Sequence, residues 1–488
     1  MNPLKKLLGQ TAIYGLSSII GRLLNFLLVP LYTRYFSPSE YGEVSLLYAY
    51  VAFFVVILMY GMETSFFRFC SHKDEVKKVY STTLLSVLFS SSLFVFLVSS
   101  FSSPIAAFLQ FDAHPEYVVY FAFILGLDAI STISFAKLRY LNKAILFASI
   151  RLINIAINIG LNLFFIVYCP IAMQEQWFLS GLIAQFYDPT LGIAYIFIAN
   201  LIASLVMLLL LIPQMKNSSI KIDFSLLRKM LLYGLPLMVA GLAGIANETI
   251  DRVILQYVLP SEIAKSEIGI YSAFYKLSII MTLFVQAFRF GAEPFFFAQQ
   301  KEKNAKQLYA QTLKFFIIVT SAIFLVTMIY FDFVKHFIGQ EFHDSRGMLV
   351  VPILLLANLF LGIYYNLSVW FKLSNNTIYG AYLAIFGACL TIALNFLWIP
   401  SLGFVGAAWA TLVCYVSMTI ASYVLSKKHY AINYPISRIS LYLLLSIAFY
   451  MLSLFVDLGM ALNSIYVLCY FVVVYRLEKS TKQIFLNP

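Results

Sequence analysis

Residues 11–36, TAIYGLSSIIGRLLNFLLVPLYTRYF, decide how the rest of the chain is read. Apart from Arg22 and Arg34 the run carries no charge. It is mostly apolar and exceeds the roughly 20 residues that a helix needs to cross a bilayer. It is too long for the apolar region of a cleavable signal peptide, and no Ala-x-Ala site follows it. Lys5 and Lys6 precede it, which fits an N-terminus on the cytoplasmic side. Arg22 sits about eleven residues into the run, hence about 16 Å deep, near the bilayer centre.

Working outward, the same pattern recurs to the C-terminus. Candidate spans, about fourteen by the length criterion, cover residues 11–36, 41–67, 80–101, 117–136, 144–168, 191–213, 230–257, 268–297, 315–333, 348–371, 378–400, 404–425, 439–455 and 462–475. The composition agrees: 61% of the residues are hydrophobic and 11% charged, with mean hydropathy +0.87. A soluble protein is about 25% charged, and a soluble chain of this composition would have no means of covering its surface. The predicted fold is an all-α polytopic membrane protein.

The loop charges test the count. Lys and Arg gather in alternate loops: at 68–78, 137–143, 216–229, 301–314, 372, 427–438 and 476–482, with Lys5 and Lys6 at the start. The opposite loops carry Arg34, Lys265, Lys335 and Arg346. The alternation persists along the chain, so the positive-inside rule places both termini in the cytoplasm. The net charge of +11 is therefore spread over short loops. It does not form the basic face that nucleic-acid binding needs. Cys70, Cys169, Cys389, Cys414 and Cys469 are scattered, with no CxxC pair and no His at ligand spacing, and read as small buried hydrophobes. No metal or cofactor is expected.

A weak repeat divides the chain. Tyr14-Gly15-Leu16, a long helix and Pro38-Ser39-Glu40 recur as Tyr233-Gly234-Leu235-Pro236, a long helix and Pro260-Ser261-Glu262. The following helix ends at Phe66-Phe67-Arg68-Phe69 in one copy and at Phe288-Arg289-Phe290 in the other. Both copies start on the same side, so the repeat is parallel, a transporter arrangement with the site between the halves. The expected divisions are an N-terminal six-helix bundle (1–213), a cytoplasmic linker (214–229), a C-terminal six-helix bundle (230–425), and two extra helices with a tail (426–488). The outer loop near 169–190, with Trp177, Phe178, Leu182, Ile183 and Phe186, suits an interfacial helix.

Five cations fall inside the spans: Arg22, Arg151, Arg252, Lys276 and Arg289. A charge there is costly and is by default a functional hypothesis. Arg22 has no acid at i±3 or i±4, and Asn25 is its polar helical neighbour. Two readings stand for it: an anion site, or a structural pair with Asp128 on another helix. Lys276 also has no acid at helical spacing; a buried lysine loses its proton readily, so proton coupling is a secondary reading. Arg252 has Glu248 four residues earlier and Asp251 adjacent, so a local pair explains it as well as function does. Arg289 has Glu293 at i+4, and Arg151 lies close enough to its helix end to snorkel. The cations outnumber the mid-depth carboxylates. Such a cavity attracts anions, and guanidinium forks suit phosphate. Asp128, Glu248, Asp251 and Asn25 are the candidate charge partners or ion-coupling groups.

The stretch GLSSIIGRLLNFLLVPLYTRYFSPSEYGEVSLLYAYVAFF resembles the start of Wzx-type oligosaccharide flippases, in the multidrug/oligosaccharidyl-lipid/polysaccharide exporter superfamily. YGLPLMVAGLAGIANETIDRVIL, GIYSAFYKLSIIMTLFVQAFRFGAEPFFF and IPSLGFVGAAWAT carry the likeness onward, over about the first 425 residues. The resemblance implies a V-shaped pair of six-helix bundles working by alternating access in the cytoplasmic membrane. It implies translocation of an undecaprenyl-diphosphate-linked oligosaccharide for O-antigen, capsule or exopolysaccharide. Arg22 matches the family's first-helix Arg, and Lys276 lies where related lipid-linked sugar flippases carry a basic residue. A monomer is expected; the candidate partners are membrane lipids, a polysaccharide polymerase and other export-locus proteins, and an ion gradient is a candidate drive. Fourteen spans also resemble the lipid II flippases. The rivals are a multidrug/cation antiporter of the same fold, a lipid II flippase, and a membrane polysaccharide polymerase. The antiporter would need carboxylates in excess. The polymerase, an enzyme, would need a large catalytic outer loop, and the 169–190 loop has Glu175 and Asp188 but no His, Arg or Lys.

Overall fold

The computed structural model describes residues 19–70, 75–216, 221–374, 376–456, 459 and 462–486, the last seven by their backbone alone. All regular structure among the described residues is helical. The elements are α1 (Leu28–Tyr35), α2 (Pro38–Met59), α3 (Met62–Phe69), α4 (Val76–Ser100), α5 (Ser102–Phe108), α6 (Pro115–Tyr140), α7 (Ala144–Leu163), α8 (Cys169–Gln174), α9 (Ser180–Ile183), α10 (Ala194–Met215) and α11 (Phe224–Val258). They continue as α12 (Ser261–Leu277), α13 (Ile279–Gln299), α14 (Ala305–Ile329), α15 (Phe331–Val334), α16 (Ser345–Leu367), α17 (Val369–Leu373), α18 (Ile378–Leu402), α19 (Phe404–His429), α20 (Ile436–Phe455) and α21 (Ser464–Leu486).

Twelve helices among the described residues are long and apolar enough to cross a membrane. The other two expected spans are the first and the last. Residues 11–18 of the first lie outside the described residues, and 19–26 are helical, followed by α1. The last is α21, which runs well past the expected end at 475. The Tyr14-Gly15-Leu16 motif also lies outside the described residues.

The described residues form two compact units, those within 1–36 and 43–253 and those within 37–42 and 254–488. The division falls inside α11, whereas the linker was expected at 214–229. Of that segment, residues 224–229 are already helical. The reason is local. Asp223 caps α11, its Oδ1 accepting from the Leu226 amide at 2.8 Å. Lys78 then grips the other carboxylate oxygen at 2.5 Å and holds Asp223 below the usual carboxylate range.

In the first unit, Phe66, Tyr80, Leu84, Val87, Ile133 and Met230 form the centre of one core cluster. The expected span 41–67 is broken between α2 and α3. Gly61 has φ +74°, and a Cβ on it would lie 2.3 Å from the carbonyl oxygen of Gly234. A Cβ on Gly234 would lie 2.7 Å from that of Tyr60. Two backbones touch here because neither residue has a side chain. Ser65 closes the contact by donating to the Met230 carbonyl at 3.0 Å.

The expected span 144–168 extends to Gln174, because a π-helical turn at Phe164–Tyr168 joins α7 to α8 without a stop. Past it, α9 is only four residues long, and Trp177, Phe178, Leu182 and Phe186 are exposed around it.

In the second unit, Ser37 and Glu40 form a capping box at the start of α2: the carboxylate accepts from the Ser37 amide at 2.9 Å and from its hydroxyl at 2.7 Å. A turn later Gly42 meets Gly269 of α12; a Cβ on either would lie 1.8 Å from a carbonyl oxygen, that of Lys265 or Pro38. The expected span 268–297 is two helices, α12 and α13, interrupted at buried Ser278, whose hydroxyl donates to the Tyr275 carbonyl at 2.7 Å. A hydroxyl bonding back within its own turn competes with the helix ladder and bends it. The two C-terminal helices pack on α14: Tyr470 donates to the Ile318 carbonyl at 3.0 Å, and Glu478 takes Lys314 at 2.5 Å and Tyr442 at 2.6 Å.

Candidate functional site

Arg22, Arg151 and Asp128 come together in the first unit. Gly21 brings the first helix against α7: a Cβ there would lie 2.9 Å from Ile155 Cδ1. Ile155 is one turn after Arg151 on the same helix. Arg151 consequently feels the charges of both Arg22 and Asp128. Its guanidinium lies over the rings of Phe135 and Phe147, 5.4 and 5.2 Å from their centroids. Both Arg side chains are exposed, as is Asn25.

Asp128, the acid expected opposite Arg22, acts on Arg151 instead. Among the described residues Arg22 makes no ion pair. Asp128 Oδ1 is buried and makes no hydrogen bond among the described residues. Ser204 stands beside the carboxyl, and the Asp128 charge reaches Tyr48, whose hydroxyl accepts from Asn200 at 2.9 Å. Two guanidinium groups with one carboxylate leave an excess positive charge and exposed donor forks, the pattern that takes a phosphate oxygen.

The remaining predicted residues are placed differently. Arg252 is buried and paired with Asp251 at 3.0 Å. Glu248 offers it only a backbone carbonyl, at 3.3 Å, and leaves its own side chain exposed. Lys276 is half-buried in the last turn of α12, just before the break at Ser278. Arg289 pairs with Glu293 at 2.9 Å and lies 4.6 Å from the centroid of Tyr365.

Several charged contacts carry no short-range signal in sequence. Lys372, a loop charge by pattern, reaches Glu293 at 2.6 Å. Glu63 pairs with Arg139, 76 residues away. Glu267 and Arg346 pair across 79 residues. No group of three or more His, Cys, Asp and Glu side chains that could hold a metal occurs among the described residues.

A family model described as polysaccharide biosynthesis protein matches residues 7–292, more than half of the chain. No curated protein matches it. Among solved structures, the lipid II flippase MurJ in an inward closed conformation superposes with a TM-score of 0.71 at 16% identity, covering 94% of this chain and 98% of that one. An inward-facing MATE-family multidrug resistance transporter of the MOP superfamily gives 0.65 at 12% identity, over 86% and 96%. A MOP superfamily transporter from Pyrococcus furiosus, described as having a binding pocket of reverse polarity, gives 0.56 at 12% identity, over 87% and 94%. At these identities the likeness establishes the fold.

Proposed function

The chain belongs to the polysaccharide biosynthesis protein family, and we propose that within it this protein is a flippase for a polyprenyl-diphosphate-linked oligosaccharide. It is a multi-pass membrane protein with the MurJ/MATE-like fold. The observation that supports the finer reading is the close approach of Gly21 to Ile155, which brings Arg22, the next residue, and Arg151, one turn before Ile155, onto neighbouring helices, with Asp128 the carboxylate whose charge acts on Arg151. Two cations held in mutual range repel, and an anion between them removes that cost. The diphosphate of the carrier lipid supplies two such anionic centres, and the sugar would travel with it while the isoprenoid stays in lipid.

Alternating access would move the headgroup from the inner to the outer leaflet of the cytoplasmic membrane, with both termini cytoplasmic. No bond is made or broken, so no catalytic group is needed. Asp128, half-buried with one buried oxygen that makes no hydrogen bond among the described residues, is the group best placed to bind a proton or cation if a gradient drives the cycle. An antiporter for organic cations fits less well, because Arg22 and Arg151 would repel its substrate.

The test is genetic. Arg22→Ala should abolish surface polysaccharide while the protein still inserts and accumulates. Normal polymer output from that variant would remove the anion site.

A further inference from the structure

Arg346 and Arg289 use their guanidinium groups in opposite ways, and the contrast points to a second site. Arg346 spends its terminal nitrogens on carboxylate, bonding Glu267 at 3.0 and 2.7 Å and Asp344 at 2.8 Å. That is a fork used up in structure. Arg289 commits only its Nε, to Glu293 Oε1 at 2.9 Å. Its two terminal nitrogens make no hydrogen bond among the described residues, and the side chain is exposed.

Arg289 is nevertheless held. Glu293 fixes one edge and the Tyr365 ring, 4.6 Å from the guanidinium carbon to its centroid, backs one face. Lys372 Nζ donates to the same Glu293 oxygen at 2.6 Å. One carboxylate thus serves two cations, and the cluster keeps a net positive charge. A planar fork already oriented loses less entropy on binding than a free side chain. Along the same helix Phe284 and Phe288 pack on Phe316, with ring centroids 5.9 and 4.7 Å from it, so the helix that carries Arg289 is anchored by an aromatic cluster.

We propose that Arg289 and Lys372, aligned by Glu293 and Tyr365, form a second anion-binding subsite, in the second unit, that takes a phosphate ester carried on a lipid headgroup. The choice of ligand rests on the flippase reading above. The geometry of the subsite does not: a phospholipid headgroup or free pyrophosphate offers the same oxygens. Lys372 and Tyr365 are thereby assigned roles that the apolar-span reading of the sequence gives them no reason to have.

The experiment is a binding titration of the full-length protein in phosphatidylcholine nanodiscs. The probes are polyprenyl diphosphate, phosphatidylglycerol and inorganic pyrophosphate, each read by native mass spectrometry. Wild type should bind polyprenyl diphosphate most tightly. Arg289→Gln should weaken that about tenfold and Lys372→Gln about threefold, the worth of one charge-assisted contact. Arg289→Lys keeps the charge and the fold but should not restore affinity. Wild-type titrations from both Gln variants, with Arg22→Ala weakened, would overturn the subsite and leave the flippase reading standing. Arg289-dependent binding of phosphatidylglycerol, with none of polyprenyl diphosphate, would sustain the subsite and contradict the flippase reading; binding of inorganic pyrophosphate alone would overturn the lipid headgroup as its ligand.

Discussion

Arg346 grips both carboxylate oxygens of Glu267, at 3.0 and 2.7 Å, although 79 residues separate them in sequence. The guanidinium also lies 4.8 Å from the centroid of Phe404, so one side chain ties the starts of α16 and α19 to α12. Glu267 is largely buried, and removing its partner strands a carboxylate. Arg346→Ala should therefore cost about 2 kcal/mol. Arg346→Lys should recover little of it, because an ammonium cannot occupy both oxygens. Thermal melting of the purified protein checks both; an unchanged midpoint in Arg346→Ala would refute the tie.

The same arginine holds the Asp344 carboxyl below the usual carboxylate range through their hydrogen bonds. A carboxylate whose folded value is depressed adds stability that is present above its unfolded value, about 3.9. That stability is lost as pH falls through the lower, folded value. Melting temperature followed downward from pH 6 should fall more steeply below about pH 4 in wild type than in Asp344→Asn. Parallel curves for the two would show that Asp344 contributes nothing to the acid limb.

Close backbone contact gives a sharper contrast within one helix. Gly234→Ala puts a methyl 2.7 Å from the Tyr60 carbonyl oxygen, whereas nothing lies within 4 Å of a Cβ at Gly244. Both residues are in α11. Gly234→Ala should lower stability by about 2 kcal/mol or more, through strain. Gly244→Ala should be neutral or gain up to about 1 kcal/mol from helix propensity. Equal behaviour of the two would mean that the Gly61–Gly234 contact does not constrain the first unit.

The succession of apolar runs was readable because a bilayer demands length and hydropathy, both of which are local. Breaks inside the spans were not. The left-handed turn at Tyr60–Gly61 and the interruption at Ser278 depend on what the backbone packs against. The expected span 144–168 runs on to Gln174 because a π-turn carries the helix past Cys169-Pro170. Charges followed the same rule. Arg289–Glu293 is visible at i,i+4 and Arg252–Asp251 as neighbours. Lys372–Glu293 and Arg346–Glu267 join positions 79 apart, which periodicity cannot reveal. Arg22 stood out for having no acid nearby, and the structure brings it a second cation, Arg151, from another helix.

The most direct measurement is translocation itself, in proteoliposomes loaded with a fluorescent polyprenyl-diphosphate oligosaccharide. Headgroup exposure is followed by an impermeant quencher. Wild type should accelerate transbilayer movement well above protein-free vesicles, Arg22→Ala should fall to the protein-free rate, and Arg151→Ala should be strongly slowed. Movement no faster than in protein-free vesicles, or an Arg22→Ala rate equal to wild type, would contradict the reading of the Arg22–Arg151 pair as the site that takes the diphosphate.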